Sequence, residues 1–269
     1  MKVFLSQRVL LLSGLLLLPL AAQETPDAKA IIARAVQTEL DANHNDHTAF
    51  AYRDHDVTPE HDTVYQVVET PKGTLRRKIL DHGQPLPPEQ QHVEDLRIHA
   101  FVHDTSLQQR EAKDDVHDQE QAENLLRLLP TAFLWTVRSE TPTQVTLDFK
   151  PDPEFHAPSM EAKVLSAMEG EVVVAKPSHR IEHLKGTLAN DVKLGYGLLG
   201  RMKAGGTFTV ERREVSPGHW QITGSHVHIV GRALLFKTIG QQEDETKTDF
   251  KVSPAETLEK AADVLKETP

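Results

Sequence analysis

Residues 207–230 read TFTVERREVSPGHWQITGSHVHIV, which is the pattern of a β-hairpin. In the first half apolar and polar residues alternate, so Phe208 and Val210 fall on one face of the expected strand. Residues 216–218, Ser-Pro-Gly, then turn the chain back. Strands joined by so short a turn pair antiparallel, and this region therefore predicts an antiparallel sheet.

The returning strand changes its apolar register partway along. Trp220 and Ile222 occupy even positions, whereas Val227 and Ile229 occupy odd ones. Because strand side chains alternate between the two faces of a sheet, the apolar set would change faces near Gly224. We expect a β-bulge there, which returns these side chains to one face and bends the sheet.

Alternating patterns bounded by turn residues recur along most of the chain, and they predict about eight to ten strands, mostly joined as hairpins. Further strands are expected at residues 50–54, 63–69 and 74–80, on both sides of a turn at 140–143, at 172–174, as a pair within 181–192, and at 246–252.

Helices are predicted at the beginning, the middle and the end of the chain. The first carries a stripe at steps of three and four residues, made of Ala28, Ile31, Ile32, Ala35, Val36, Glu39 and Leu40. A helical insertion is expected at about residues 85–130, where the charged stretch 110–123 indicates a solvated helix face. A capping box at residues 253–256, Ser-Pro-Ala-Glu, predicts the start of the last helix. The predicted class is α+β, with a large curved antiparallel sheet, a half-barrel, and helices packed on its concave face.

The N-terminus has the pattern of a secretory signal peptide. Lys2 and Arg8 precede an apolar run, and small residues at 21 and 22 follow Pro19, so cleavage after Ala22 is expected. A retained anchor is the alternative, but a bilayer core requires about 20 apolar residues and this run is shorter. We therefore expect a periplasmic or secreted protein without a stable membrane span after cleavage, forming one domain over residues 23–269.

Charge and composition limit the partners of the chain. Its formal charge is −10, and loss of the two basic residues of the signal makes the mature charge −12. Such a chain repels phosphate backbones, so nucleic acid is excluded as an expected partner. The sequence contains no Cys, and the exported protein must therefore be stabilised by its core alone.

Two patterns resemble catalytic or cofactor motifs. Residues 179–183, HRIEH, match the H-x-x-E-H zinc signature, which requires a helix, whereas Pro177 and Gly186 favour strand here. In a strand the two imidazoles stand about 13 Å apart, too far for one metal ion. Residues 195–200 match a dinucleotide fingerprint but lack the βαβ context. The sequence assigns no catalytic residue, metal ligand or cofactor, and a zinc-dependent hydrolase stays an open alternative.

The N-terminal helix, the meander of long strands, the helical insertion and the closing helix together resemble the LolA-like half-barrel of periplasmic lipoprotein carriers and lipid-binding relatives. Residues 186–188, 191–200, 205–215 and 220–239 are also similar to uncharacterised exported bacterial proteins of that expected shape. The resemblance implies a concave apolar sheet face that holds a hydrophobic small molecule or a lipoprotein acyl chain.

The candidate ligand-lining residues are Trp135, Phe149, Trp220, Ile222 and Phe236. If the helices fill the concavity instead, these side chains are core. The protein would then be a non-catalytic interaction or scaffold domain of the cell envelope.

Overall fold

The computed structural model describes residues 27–194, 200–233 and 238–267. Within these ranges the helices are α1 (Ala28–Asn45), α2 (Pro88–His103), α3 (Thr105–Ala132), α4 (Met160–Leu165) and α5 (Leu258–Glu267). The strands are β1 (Phe50–Val57), β2 (Asp62–Thr70), β3 (Gly73–Asp81), β4 (Gln84–Pro85), β5 (Phe133–Glu140), β6 (Gln144–Pro151), β7 (Met168–Ala175), β8 (Ile181–Leu188), β9 (Val192–Leu194), β10 (Gly200–Met202), β11 (Thr207–Ser216), β12 (His219–Ala233) and β13 (Thr238–Val252).

All the described strands belong to one antiparallel sheet. Its order is β4-β3-β2-β1-β13-β12-β11-β8-β7-β6-β5, and the sheet does not close on itself. Strands β9 and β10 pair with each other, and β10 also pairs with β12. The predicted class, α+β with a large curved antiparallel sheet, is confirmed. The described part of the chain has 13 strands, above the predicted eight to ten, because β4, β9 and β10 are pieces of only two or three residues.

Helix α1 lies on one face of this sheet, and its predicted stripe is confirmed. Ile32, Ala35, Val36 and Leu40 are buried in a cluster with strand residues that are cross-strand neighbours. These strand residues include Leu147, Val172 and Leu184. Each buried aliphatic side chain contributes about 1.5–3 kcal/mol, so this layer holds α1 firmly on the sheet.

At the β1-β2-β3 end, both faces of the sheet are covered. Val67 packs with Phe50 and Tyr52, on the face that also carries α1. The adjacent Val68 points the other way and packs, with Leu75, against α5 and α2. Neighbouring strand residues can both be buried only where each face has its own cover.

The predicted bulge is confirmed. Glu211 pairs with Gly224 but Arg212 pairs with Ile222, so β12 contains one extra residue, Thr223. Because of this insertion, Trp220 and Ile222 share a face with Ser225. That face is turned toward α1 and α3.

The helical insertion is observed as α2 and α3. The charged stretch of α3 is solvated as predicted over residues 110–122, but its last residue, Glu123, is buried against the cleft. The predicted start of the last helix is wrong. The hydroxyl of Ser253 donates to the carbonyl of Glu69 at 2.6 Å, and α5 begins at Leu258, where Thr257 accepts from the backbone of Lys260.

Within the described residues no helix combines the length and the apolar character needed to span a bilayer.

Candidate ligand-binding cleft

A cleft of about 480 Å³ lies between the two longest helices and the middle of the sheet. Strands β8, β11 and β12, which are neighbours in the sheet, form its floor, and the end of α1 and the middle of α3 form its walls. Its lining residues are Ala42, Asn43, Asp46, Gln119, Ala122, Glu123, Leu126, Arg180, Ile181, Leu184, Val210, Arg212, Trp220, Gln221 and Ile222.

The floor of the cleft is largely apolar. Leu184 and Val210 are direct cross-strand partners, and Ile222 continues the surface on the next strand. Ile222 is 41% exposed, although the bulge turns it toward the helices. A large apolar side chain on the core-facing side of a sheet is normally covered, so the packing of α1 and α3 leaves this surface open.

One end of the cleft is built on a buried ion cluster. Glu39 of α1 is fully buried. Its Oε1 accepts hydrogen bonds from the Nε of Arg180 at 3.1 Å and from the backbone N–H of Ile181 at 2.8 Å. Its Oε2 forms ion pairs at 2.8 Å with Nη2 of Arg180 and with Nη1 of Arg212. A buried carboxylate with two guanidinium partners joins α1 to β8 and β11.

The hydrogen-bonding capacity of Arg212 is only partly satisfied by this cluster. Its Nε is buried and has no hydrogen-bond partner. Burial lowers the pKa of the Arg212 guanidinium, the nearby charge of Arg180 lowers it further, and Glu39 opposes both effects. The guanidinium of Arg180 lies 5.7 Å from the ring centre of Trp220, which holds this cation beside the apolar floor.

The other carboxylates of the cleft have partners of their own. Asp46 lies 2.9 Å from the ring Nδ1 of His219. Glu123 pairs with Arg127 at 2.9 Å, and the Nε2 of His44 lies 3.7 Å from it.

A second polar group on the same sheet face is acidic. Asp54 of β1 pairs across the strands with Lys247, and Asp56 pairs with Glu245. Burial, and then the charge of Glu245, raise the pKa of Asp54 to about 6, while Lys247 opposes the shift. This face is therefore cationic near β8 and β11 and anionic near β1 and β13.

The structure separates the predicted lining residues into two groups. Trp220 and Ile222 line the cleft. Trp135 and Phe149 pack on each other, with ring centres 5.3 Å apart, in the core beneath α1 and α3. The indole N–H of Trp135 donates to the carbonyl of Leu129. Phe236 lies outside the described residues.

Sequence reasoning missed the charged residues of the cleft, although a signal was present. Glu39 falls within the apolar stripe of α1, and Arg212 shares its strand register with Phe208 and Val210. A charged residue at a core-facing position predicts a buried partner of opposite charge. That rule would have identified both residues, but not their pairing.

The H-x-x-E-H segment does not adopt the helix that its zinc site would require. His179 has a positive φ of 55° and precedes β8, and Glu182 and His183 lie in β8, so the H-x-x-E-H segment is strand as expected. Over the described ranges, no group of three or more His, Cys, Asp or Glu side chains is arranged to hold a metal ion. The glycine-rich pattern falls largely outside the described residues.

Comparison of the chain with protein families, with curated proteins and with solved structures gave no match. The resemblance to the LolA-like family stays a prediction, and the function is argued from the cleft itself.

Proposed function

We propose that this protein is exported to the cell envelope and binds a hydrophobic ligand, a lipid or a lipoprotein acyl chain, in the cleft between α1, α3 and the sheet. The observation that carries the proposal is Ile222, an apolar side chain that faces the helices yet is 41% exposed. An acyl chain on this surface would remove the exposed apolar area from water, which is favourable by about 25 cal/mol per Å².

The size and chemistry of the cleft fit such a ligand. Its volume of about 480 Å³ lies within the usual range for small-molecule sites, about 300–1,000 Å³. Most sites of this kind combine apolar walls with a few polar groups that fix orientation. Leu126, Leu184, Val210 and Ile222 supply the apolar surface, and Arg212 is a polar group at one end.

The filled layer beneath α1 favours a second candidate, an envelope interaction or scaffold domain. Trp135 and Phe149, two of the predicted lining residues, are packed in that layer and leave no space for a ligand there. Under this alternative the cleft holds only water, and the protein acts through a stable partner protein.

Native mass spectrometry of the exported protein tests the proposal. The proposal predicts an added mass of an amphiphile on the mature chain, lost on delipidation and regained on exposure to envelope lipid. Ile222→Glu should abolish the added mass and keep the far-ultraviolet circular dichroism spectrum, because a charge on the floor repels an acyl chain.

Val230→Glu is the matched control for this experiment. Val230 lies on the same strand, is 56% exposed and belongs to the opposite face. It should keep the wild-type lipid load. Equal loads in the two variants, or no load on the wild type before and after reloading, would contradict the proposal. The same spectra test export, since cleavage after Ala22 gives a chain that begins at Gln23.

A further inference from the structure

We propose that the ligand is an amphiphile with a single negative charge on its head group, of which a fatty-acid carboxylate is the simplest. The head group pairs with Arg212 beside Arg180, and the apolar chain lies on Leu184, Val210 and Ile222. This inference rests on the proposed function, because it specifies the ligand of the same cleft.

The charge count within the buried cluster of Glu39, Arg180 and Arg212 points to one anion. Arg180 and Arg212 carry two positive charges, and Glu39 carries the one negative charge that contacts both. The nearby carboxylate of Glu123 forms an ion pair with Arg127, and Asp46 lies 2.9 Å from the ring Nδ1 of His219. Within this cluster one positive charge is left over, which a monoanionic head group would neutralise.

The hydrogen-bonding capacity of Arg212 points to the same group. A guanidinium offers a fork of donors that fits a carboxylate or a phosphate oxygen pair. In Arg212 one branch, Nη1, contacts Glu39, while the buried Nε has no acceptor. An unsatisfied buried donor is costly, and a turn of the Arg212 side chain toward an acceptor oxygen on the ligand would remove that cost.

The charges at the two ends of this sheet face determine how the ligand is oriented in the cleft. Asp54, Asp56 and Glu245 lie on the neighbouring strands β1 and β13, on the same face as the cleft floor. Lys247 forms an ion pair with Glu245 at 3.2 Å, and the remaining negative charge of this group disfavours an anionic head at that end. The head is therefore placed at Arg212, and the chain extends along the apolar floor.

Calorimetric titration with two matched probes, laurate and dodecanol, tests the assignment. Both have the same chain length, and only laurate is charged. The wild-type protein should bind laurate at least about tenfold more tightly than dodecanol, the gain expected from one charge-assisted contact. Arg212→Gln should reduce this ratio to near one while dodecanol still binds, which also shows that the variant is folded.

Arg213→Gln is the matched control. Arg213 is the next residue of β11, its side chain is 74% exposed, and it pairs with Glu211 outside the cleft. It should keep the wild-type ratio. A lysophosphatidylglycerol probe, with the zwitterionic lysophosphatidylcholine as its counterpart of zero net charge, extends the test to a phosphodiester head group. A preference for the anionic member of either pair, lost in Arg212→Gln, supports the inference.

The outcomes separate this inference from the proposed function. Equal affinity for the charged and uncharged members of both pairs, or a preference that persists in Arg212→Gln, overturns the head-group assignment and leaves the hydrophobic cleft in place. Absence of binding by all four probes overturns both.

Discussion

Glu39 is a charged residue inside the apolar stripe of α1, and every oxygen contact it makes is to another element. Both of its arginine partners and the backbone of Ile181 surround it in the buried layer. Removing one partner of a buried ion pair is strongly destabilising, because the remaining charge stays buried without compensation. The cluster therefore fixes α1 on β8 and β11 and shapes one end of the cleft.

We predict that Glu39→Gln lowers the free energy of unfolding by about 3 kcal/mol, because Arg180 and Arg212 are left as uncompensated cations. Urea denaturation of the purified protein measures the change. Asp41→Asn makes the same chemical change on the exposed face of α1 and should shift stability by less than about 0.5 kcal/mol. Similar values for the two variants would contradict the role of the cluster.

Unlike Glu39, Asp54 carries a charge that is unfavourable in the folded state. Its pKa is raised to about 6 by burial and by Glu245, above the value of about 3.9 for an unfolded chain. The folded state therefore binds this proton more tightly. The resulting stabilisation is fully present below about pH 4 and is lost as the pH rises through about 6.

We predict that Asp54→Asn is more stable than the wild type at pH 8, by about 1 kcal/mol after screening by solvent, and equally stable at pH 4. The asparagine cannot ionise, so the variant avoids the cost that the wild type acquires on deprotonation. Urea denaturation at the two pH values measures the difference. If Asp54→Asn is less stable than the wild type at pH 8, or if the stability difference is the same at both pH values, the raised pKa of Asp54 is contradicted.

For individual residues, the sequence predicted the positions of apolar side chains better than those of charged ones. Trp220 and Ile222 follow from alternation, because strand period alone assigns them to a face. Glu39 and Arg180 are 141 residues apart in the chain. No local pattern brings them together, and their pairing depends on how α1 lies across the sheet.

Among the elements, the β11-β12 hairpin shows how a local irregularity creates the cleft. The extra residue Thr223 lets Ile222 and Ser225 occupy one face. The bulge was predictable because the apolar register changes within a single strand. The start of α5 was not predictable in the same way, because Ser253 bonds to the carbonyl of Glu69, 184 residues away, instead of capping a helix.

Close strand contact at β7-β8 gives a further prediction. Gly170 faces Gly186, and a Cβ on Gly170 would lie 1.9 Å from the carbonyl oxygen of Lys185. Gly170→Ala should therefore separate the two strands and lower the free energy of unfolding by at least about 2 kcal/mol. Chemical denaturation checks this value.

Gly224→Ala provides the control for that substitution. A Cβ at this position would meet its nearest atom, on Glu211, at an ordinary distance of 3.5 Å. The variant should be close to the wild type in stability. Equal destabilisation by the two alanines would show that loss of glycine, rather than backbone contact, decides the effect.

For the whole molecule, the sequence predicted the class and the hairpins, but not the order of the sheet. Strand β1 pairs with β13 and joins the two ends of the described chain, with Phe50 opposite Val252. Turn residues specify only neighbours in sequence, so such a pairing has no local signal. The position of the cleft depends on the order of the sheet, because the neighbouring strands β8, β11 and β12 form its floor and α1 and α3 form its walls.

The placement of the two tryptophans allows a direct test of the central claim, that an acyl chain lies on β8, β11 and β12. Trp220 lines the cleft, whereas Trp135 lies on the edge strand β5, five strand steps from β12. At about 4.8 Å per step this separation is about 24 Å across the sheet. A bromine atom on a bound chain quenches tryptophan fluorescence only at short range.

The measurement is the fluorescence of Trp135→Phe and Trp220→Phe in the presence of a brominated fatty acid, with the unbrominated acid as reference and calorimetry to verify binding to both variants. We predict strong quenching in Trp135→Phe, which retains Trp220, and little quenching in Trp220→Phe. Equal quenching of the two variants, or quenching of Trp135 alone, would place the ligand elsewhere and contradict the account.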